Sequence, residues 1–390
     1  MEIVLTLFFM EACVPGLLSN VDPDGLLEYS VVYTDRAVNH MSQLFQSAMR
    51  DISVTLKKVY GAHSAIVVPG SGTFAMEAVA RQFATNRKCL VIRNGWFSYR
   101  WSQIFEMGCI ASECVVLKAR AVEQGRQAAF APVPIDEVVA AIRQGKPDLV
   151  FAPHVETASG IILPNDYLRQ IAHAVHEVGG MFVLDCIASG TIWVDMQDAG
   201  VDVLISAPQK GWSAPPCCGL VMLSRLARER IDTTTSTSFA CDLRKWLQIM
   251  ETYESGSFTY HATMPTDSLI ALRNTMKEVE AYGFDKVRAE QQELGDRVRA
   301  LLEGRGFKSV AAQGFKAPSV VVSYTDDDDI KSGKKFAQAG LQIAAGVPLQ
   351  CDEPADFKTF RIGLFGLDKL HHIDRTVANL EQALQRITAA

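Results

Sequence analysis

The chain alternates short, almost purely apolar runs with longer segments in which apolar residues recur at helical spacing. Uninterrupted apolar strands are typical of a sheet covered on both faces, and strands that alternate with helices indicate mainly parallel pairing. The predicted strands are Ala65–Val68, Lys88–Ile92, Glu113–Val116, Leu149–Ala152, Phe182–Asp185, Val203–Ser206 and Leu220–Leu223. The predicted helices between them include Gly72–Ala84, Ile135–Gln144 and Asn165–Val178.

The pattern changes near Pro265, where a long helical stretch begins. The elements predicted beyond it are Ser268–Gly304, Ser319–Tyr324, Ile330–Gln338, Leu341–Ala344, Thr359–Leu364 and Asp374–Ile387. We therefore expect an α/β protein with an N-terminal arm over 1–20, a large domain over 21–265 and a smaller α+β domain over 266–390. The large domain should contain a mainly parallel seven-stranded sheet sandwiched by helices.

Composition narrows the class of protein. With 390 residues, of which 48% are apolar and 21% charged, the chain has the size and balance of a two-domain soluble protein. A net charge of −6 gives no basic footprint for nucleic acid. Nine cysteines without a CxxC pair fit a reducing compartment, so we expect a cytoplasmic protein.

Two local patterns receive plain interpretations. The apolar run Ile3–Met10 is too short to span a bilayer, so we expect a packed arm and no membrane partner. The acidic run Asp326–Asp329 is followed by lysines and predicts a solvated helix start, without a metal.

Candidate chemistry lies directly after the predicted strands, because ligands of α/β sheets collect at the carboxyl ends of the strands. Ser71, Gly72 and Thr73 open a helix, where free N–H groups and the helix dipole favour a phosphate. An ordinary tight turn explains the same residues equally well. The segment Asn94–Trp101 adds four aromatic residues, one of which could stack on a planar ring.

Asp185 and Lys210 are the most unusual of these residues, because each ends or follows an almost wholly apolar strand. A charge there requires a partner. They are 25 residues apart, so one strand-helix-strand unit can place them on neighbouring strands. Together with the phosphate turn they suggest a ligand with a phosphate, a ring nitrogen and an aldehyde, which is pyridoxal 5'-phosphate (PLP). A helix cap or a structural ion pair is the alternative for Asp185.

Four segments resemble one family of PLP enzymes, the class V aminotransferases of fold type I. The similarity is greatest to the branch of alanine–glyoxylate, serine–glyoxylate and 2-aminoethylphosphonate–pyruvate aminotransferases. The segments are GSGTFAMEA at 70–78, HVETASG at 154–160, LDCIAS at 184–189 and SAPQKGWSAPPCCGLVMLS at 206–224. The resemblance implies the PLP-dependent transferase fold and a homodimer.

The resemblance also implies a role for individual residues. Lys210 would hold the cofactor as a Schiff base and Asp185 would pair with the ring nitrogen, and both would be catalytic. Arg361, in the segment FRIGLFG, would bind the substrate carboxylate. The remaining cofactor contacts would be Ser71, Gly72, Thr73 and Gln209 at the phosphate, Phe97 on the ring face, Thr157 near the ring hydroxyl, and Tyr260 and Thr263 from across the dimer interface.

The chain departs from the family pattern at three places. Only Pro15–Leu18 corresponds to the usual opening segment, and Tyr33–Gln46 replaces a segment that helps to select substrates. Cys217 and Cys218 follow a Pro-Pro pair where glycine is usual. The first two departures lie where substrates are selected, so they leave the cofactor chemistry intact and affect the choice of substrate.

The leading hypothesis is transamination from a small donor of the alanine, serine or 2-aminoethylphosphonate type to pyruvate or glyoxylate. A PLP-dependent lyase, of the ammonia-lyase or elimination type, is the alternative, because both reactions share their first step. A desulfurase is disfavoured, since Gln209 stands where that class has histidine and Cys351 is the only thiol of the predicted small domain. A non-enzymatic binding or structural protein is disfavoured as well, because Lys210 or Asp185 would then have no chemical role.

Overall fold

The computed structural model describes residues 21–22 and 25–388. The predicted N-terminal arm over 1–20, with Ile3–Met10 and Pro15–Leu18, lies outside the described residues.

The strands follow the apolar runs of the sequence. In chain order they are β1 (Ser64–Pro69), β2 (Lys88–Arg93), β3 (Glu113–Lys118), β4 (Arg120–Ala121), β5 (Phe130–Ala131), β6 (Leu149–Pro153), β7 (Val155–Glu156), β8 (Ile161–Ile162), β9 (Met181–Asp185), β10 (Val203–Ser206), β11 (Cys218–Leu223), β12 (Val320–Tyr324), β13 (Ala344–Ala345) and β14 (Thr359–Gly363).

The helices alternate with these strands in the first part of the chain and dominate its last third. In chain order they are α1 (Gln43–Tyr60), α2 (Gly72–Phe83), α3 (Trp96–Gly108), α4 (Ile135–Gly145), α5 (Asn165–Glu177), α6 (Met196–Ala199), α7 (Arg225–Asp232), α8 (Leu243–Glu254), α9 (Thr266–Tyr282), α10 (Phe284–Gly304), α11 (Asp328–Lys331), α12 (Lys334–Gln338), α13 (Leu367–His371) and α14 (Ile373–Thr388).

A seven-stranded sheet forms the centre of the molecule, in the order β1-β11-β10-β9-β6-β2-β3. Strand β11 is antiparallel to both of its neighbours, and the other pairs between β10 and β3 are parallel. All seven predicted strands are in this sheet, which confirms the predicted α/β fold. Most of their side chains are buried because helices cover both faces of the sheet.

The register of this sheet positions the site. Strands β9 and β10 are parallel neighbours, and Ile205 of β10 lies opposite Asp185 of β9. The carboxyl ends of the parallel strands therefore meet at one edge, and the loops that follow them converge there.

The last third contains a three-stranded antiparallel sheet in the order β12-β14-β13. Here two predictions were wrong: the helix expected over Ser268–Gly304 is split into α9 and α10 at Gly283, and the helix near Ile330–Gln338 is split into α11 and α12 at Gly333. Both glycines have positive φ, 109° and 82°, which an uninterrupted α-helix does not allow. The boundary at residue 265 stays a prediction, because one continuous apolar core includes residues from both sides of it.

Two further expectations concern the surface. Asp327 caps α11 by accepting the N–H groups of Asp329 and Ile330, and Lys335 pairs with it at 2.6 Å, so the acidic run is a helix start as predicted. Over residues 21–22 and 25–388, no helix is both long and apolar enough to cross a bilayer.

Candidate active site

Asp185 and Lys210 come together at the sheet edge, as the spacing predicts. Asp185 is the last residue of β9, and Lys210 lies four residues beyond the end of β10. The Asp185 carboxylate accepts the N–H group of Ile187 at 2.9 Å. The Lys210 Nζ lies 4.8 Å from the centre of the Phe365 ring, which covers the amine from the small-sheet side.

A cavity of about 170 Å³ opens in front of these two residues. Most of the predicted cofactor contacts line it. The predicted residues in its wall are Ser71, Gly72, Thr73, Phe97, Thr157, Asp185, Gln209 and Lys210. Five separate segments therefore contribute to one small volume, although they are spread over 140 positions of the sequence (from 71 to 210).

The start of α2 forms one end of the cavity. Ser71 is the N-cap in an extended conformation, yet its side chain makes no capping hydrogen bond, so its hydroxyl is available to a ligand. A Cβ atom at Gly72 would lie 2.5 Å from Ile187 Cδ1, so a side chain at this position would clash with Ile187. The first N–H groups of a helix have no partner within the helix, so an uncapped helix start is a favourable site for an anion.

Phe97 is held by a carboxylate that the sequence did not single out. Glu156 is fully buried, and its Oε1 accepts the N–H group of Phe97 at 3.2 Å. Its Oε2 accepts both the N–H and the hydroxyl of Ser98, at 2.9 and 2.6 Å. Glu156 therefore caps α3 and fixes the turn that carries Phe97. The available signal was an acidic residue directly after a buried strand.

Arg100 is the second residue that the sequence did not reveal. It lines the cavity, its Nη1 donates to Thr73 Oγ1 at 3.1 Å, and its guanidinium carbon lies 4.7 Å from the Phe97 ring centre. The sequence-based interpretation of Asn94–Trp101 rests only on its aromatic residues, as a source of ring stacking. The charge three residues after Phe97, and so on the same face of the helix, was the missed signal.

Arg361 reaches the site from β14. Its Nε donates to the carbonyl of Ala345 at 2.8 Å, and its guanidinium carbon lies 5.4 Å from the Phe97 ring centre. Its two terminal nitrogens are thus left for a ligand, and it forms no ion pair with a described residue.

Tyr260 and Thr263 do not line the cavity of their own chain. Their hydroxyls are hydrogen-bonded to each other at 3.1 Å, and Tyr260 is half exposed. The His40 ring lies 5.6 Å from the Tyr260 ring. Their predicted contact with the cofactor involves a second subunit and stays a prediction.

Burial controls the ionisation of the two central residues. Desolvation, with a smaller contribution from the charge of Glu156, raises the pKa of Asp185 to about 7. The N–H group of Ile187 and the charges of Arg100 and Lys210 act in the opposite direction. Desolvation also lowers the pKa of Lys210, and the positive charge of Arg361 lowers it further. A cationic ring nitrogen beside Asp185 would stabilise the ionised form of its carboxyl group. The lowered pKa of Lys210 favours the neutral amine, which is the form that reacts with a carbonyl ligand.

The site fits PLP at three points. The uncapped start of α2 suits the phosphate, and the buried Asp185 suits a protonated ring nitrogen. The Oε1 atom of Gln209 is shielded from solvent and has no hydrogen-bond partner among the described residues, so the side-chain amide can turn to a ligand. The fold and the site together define a PLP enzyme of fold type I.

Comparison with known proteins identifies the family. The family described as Aminotransferase class-V matches residues 25–358, so the chain belongs to it. The sequence is 25% identical to the alanine–glyoxylate aminotransferase of Rattus norvegicus over 94% of this chain and 86% of that protein. It is 27% identical to the 2-aminoethylphosphonate–pyruvate transaminase of Burkholderia ambifaria (strain MC40-6) over 90% of this chain and 89% of that protein.

A solved structure shows the same fold. The alanine–glyoxylate aminotransferase of Nostoc sp. superposes with a TM-score of 0.74 at 21% identity, over 89% of each chain. The resemblance seen in the sequence is thereby confirmed, and with it the PLP cofactor and the transaminase class. These findings favour transamination over the lyase alternative.

Proposed function

We propose that this protein moves an amino group from a small donor of the alanine, serine or 2-aminoethylphosphonate type to a small 2-oxo acid such as pyruvate or glyoxylate. The relatives named above act on compounds of these classes. The observation that carries the proposal is the placement of Lys210 and Asp185 in one cavity after neighbouring strands, with Arg361 in contact with the Phe97 ring of its wall.

Lys210 is proposed to hold the cofactor covalently as a Schiff base and then to move a proton at the Cα atom of the substrate. Bound PLP supplies the electron sink that makes this Cα–H acidic. Because burial and Arg361 lower the pKa of Lys210, a larger fraction of its amine is neutral and can accept that proton.

Asp185 is proposed to keep the ring nitrogen protonated. Phe97 supports the ring face, with its position fixed by Glu156, and Thr157 hydrogen-bonds near the ring hydroxyl. The residues proposed to hold the phosphate are Ser71, Gly72, Thr73 and Gln209.

Arg361 is proposed to bind the acidic group of the substrate. Since Ala345 holds its Nε, the guanidinium has a fixed orientation and offers its terminal nitrogens as a fork. A planar fork suits a carboxylate, and it suits a phosphonate equally. The contact therefore supports an amino acid or an aminophosphonate as donor.

We also propose a cytoplasmic homodimer in which Tyr260 and Thr263 complete the site of the partner subunit. The segment that departs from the family, Tyr33–Gln46, supports this arrangement. The Tyr33 hydroxyl donates to the carbonyl of Met264 at 3.2 Å, so the unusual segment lies beside the residues proposed to cross the interface. Substrate choice would then depend on both subunits.

The test is a visible spectrum of the purified protein, repeated after adding single amines without an oxo acid. The panel contains alanine, serine, glycine, β-alanine and 2-aminoethylphosphonate. We expect one donor to convert the bound cofactor to its pyridoxamine form, and Lys210→Ala to abolish the conversion, whereas Lys245→Ala on the surface of α8 should not. Release of ammonia with the absorption band unchanged would contradict transamination and indicate a lyase.

A further inference from the structure

Two cations, Arg100 and Lys210, line the cavity, and a third, Arg361, lies 5.4 Å from the ring of the wall residue Phe97. Arg100, Lys210 and Arg361 form no ion pair within residues 21–22 and 25–388. The one carboxylate in the cavity wall is Asp185, since Glu156 lies behind Phe97 with both oxygens bound to N–H and O–H donors. The cavity therefore carries a surplus of positive charge and is suited to anionic ligands.

The two guanidinium groups approach the cavity from different directions. Arg361 comes from β14, on the small-sheet side. Arg100 is the fifth residue of α3, and it donates to Thr73 at the start of α2, which is the end proposed to hold the phosphate. Both contact Phe97, whose ring centre lies 4.7 Å from the Arg100 guanidinium carbon and 5.4 Å from that of Arg361.

We propose that Arg100 binds the cofactor phosphate and that it is the principal charged ligand of that group. The amine of Lys210 is used for the proposed covalent link to the cofactor. Two guanidinium groups therefore remain to bind two anions, the cofactor phosphate and the acidic group of the substrate. We assign the acidic group of the substrate to Arg361. We assign the phosphate to Arg100, because Arg100 contacts Thr73 at the proposed phosphate end of the cavity. The assignment rests on the proposed position of the phosphate at Ser71, Gly72 and Thr73.

This arrangement also links two parts of the cofactor site. Phe97 and Arg100 are three residues apart and lie on one face of α3, and Glu156 fixes the turn that carries them. The capped start of α3 thereby supplies both the ring proposed to support the pyridine and the charge proposed to hold the phosphate.

The experiment compares PLP with pyridoxal, which lacks the phosphate, on the apoenzyme. Dissociation constants are measured by quenching of tryptophan fluorescence for the wild type and for Arg100→Met. Removing a charge-assisted contact should weaken PLP about 10- to 100-fold and leave pyridoxal within about twofold. Inorganic phosphate, measured as a competitor of PLP, should lose affinity by a similar factor.

Arg143→Met serves as the control, because Arg143 is an exposed arginine that pairs with Glu177 outside the cavity. It should leave all three affinities unchanged. Equal weakening of PLP and pyridoxal by Arg100→Met would overturn the proposal, because the loss would then be independent of the phosphate. Unchanged PLP affinity with a raised KM for the donor would overturn it as well, and would assign Arg100 to the substrate.

The binding measurements need no turnover. An enzyme that shows the expected phosphate-dependent loss but transaminates none of the amines would contradict the proposed function and leave Arg100 at the phosphate. Active transamination without that loss would contradict the assignment of Arg100 alone.

Discussion

At the scale of single residues, the candidate site contains two buried carboxyl groups that have different surroundings. Glu156 receives N–H and O–H donors at both oxygens, which compensates its burial. Asp185 receives one backbone N–H group, and burial raises its pKa to about 7. The first carboxyl group therefore has a structural role, and the second requires a cationic ligand to be fully ionised near neutral pH.

This difference predicts a pH dependence for the apoenzyme. The pKa of Asp185 is 3.8 in a reference state and about 7 in the fold, so the folded state binds more protons between these values and stability falls as pH rises through that range. Asp185→Asn removes the effect. We expect the variant to be more stable than the wild type by about 2–4 kcal/mol at pH 8, and by much less at pH 5.

Urea unfolding of the two apoproteins at both pH values measures this difference. The control is Asp166→Asn, since Asp166 is an exposed residue at the start of α5 whose substitution leaves the cavity unaltered. A stability gain of the same size at pH 5 and pH 8 would mean that the titration of Asp185 is not responsible.

At the scale of secondary structure, α3 depends on a cap from a distant part of the sequence. Its N-cap is Gly95, which has no side chain, and Glu156 from β7 accepts the N–H groups of Phe97 and Ser98 instead. A capping residue 60 positions away holds the helix start against the sheet edge. This contact couples the stability of α3 to the geometry of the cavity.

Glu156→Gln tests the coupling. The amide has nearly the same shape, but its NH₂ group would face N–H donors, so we expect a stability loss of about 2–4 kcal/mol. We also expect weaker PLP binding, because Phe97 and Arg100 share the affected turn. Thermal unfolding and cofactor titration measure the two effects, with Glu229→Gln on the surface of α7 as the control. Wild-type stability in the Glu156 variant would show that the cap is dispensable.

The helices and strands also show which parts of the secondary structure the hydrophobic pattern predicts. Apolar runs predicted all seven strands of the main sheet, because burial on both faces leaves no polar positions to interrupt them. The pattern failed at Gly283, where the apolar spacing continues across a residue with a φ of 109°. Hydrophobic spacing reports which face is buried, and it carries no information on a change of helix direction.

At the scale of the whole molecule, the structure of one chain leaves Tyr260 and Thr263 outside the cavity. They lie on an exposed face, beside Phe258, which is 42% exposed, and Tyr33. An apolar and aromatic surface of this kind suits an interface between copies of the chain. The proposed shared site makes a specific prediction about mixed dimers.

Two inactive variants should complement each other. Lys210→Ala removes the amine, and Tyr260→Phe with Thr263→Val removes the hydroxyls proposed to cross the interface. A mixed dimer then has one complete site, so random reassociation of equal amounts should recover about a quarter of the wild-type activity per subunit. The measurement is transaminase activity after joint unfolding and refolding, with each variant refolded alone as the control. Activity no greater than the sum of the separately refolded variants would place both hydroxyls in the site of their own chain.

The sequence by itself determined the order of the strands of the main sheet and the meeting of Asp185, Lys210 and the Ser71–Thr73 turn in one cavity. It could do so because burial is encoded in local apolar runs, and because a charge at the end of such a run needs a partner. The family resemblance added Gln209, Thr157 and Arg361 through short contiguous motifs.

Only the tertiary structure decided which side chains from distant segments meet. It revealed Glu156 as the cap of α3, Arg100 beside Thr73, and Phe365 over the amine of Lys210. Each of these contacts joins residues between 27 and 155 positions apart, as the sequence numbering gives. The local hydrophobic pattern carries no information on such pairs, because the distance between their members is fixed by the register of the sheet and by the loops that meet at its edge.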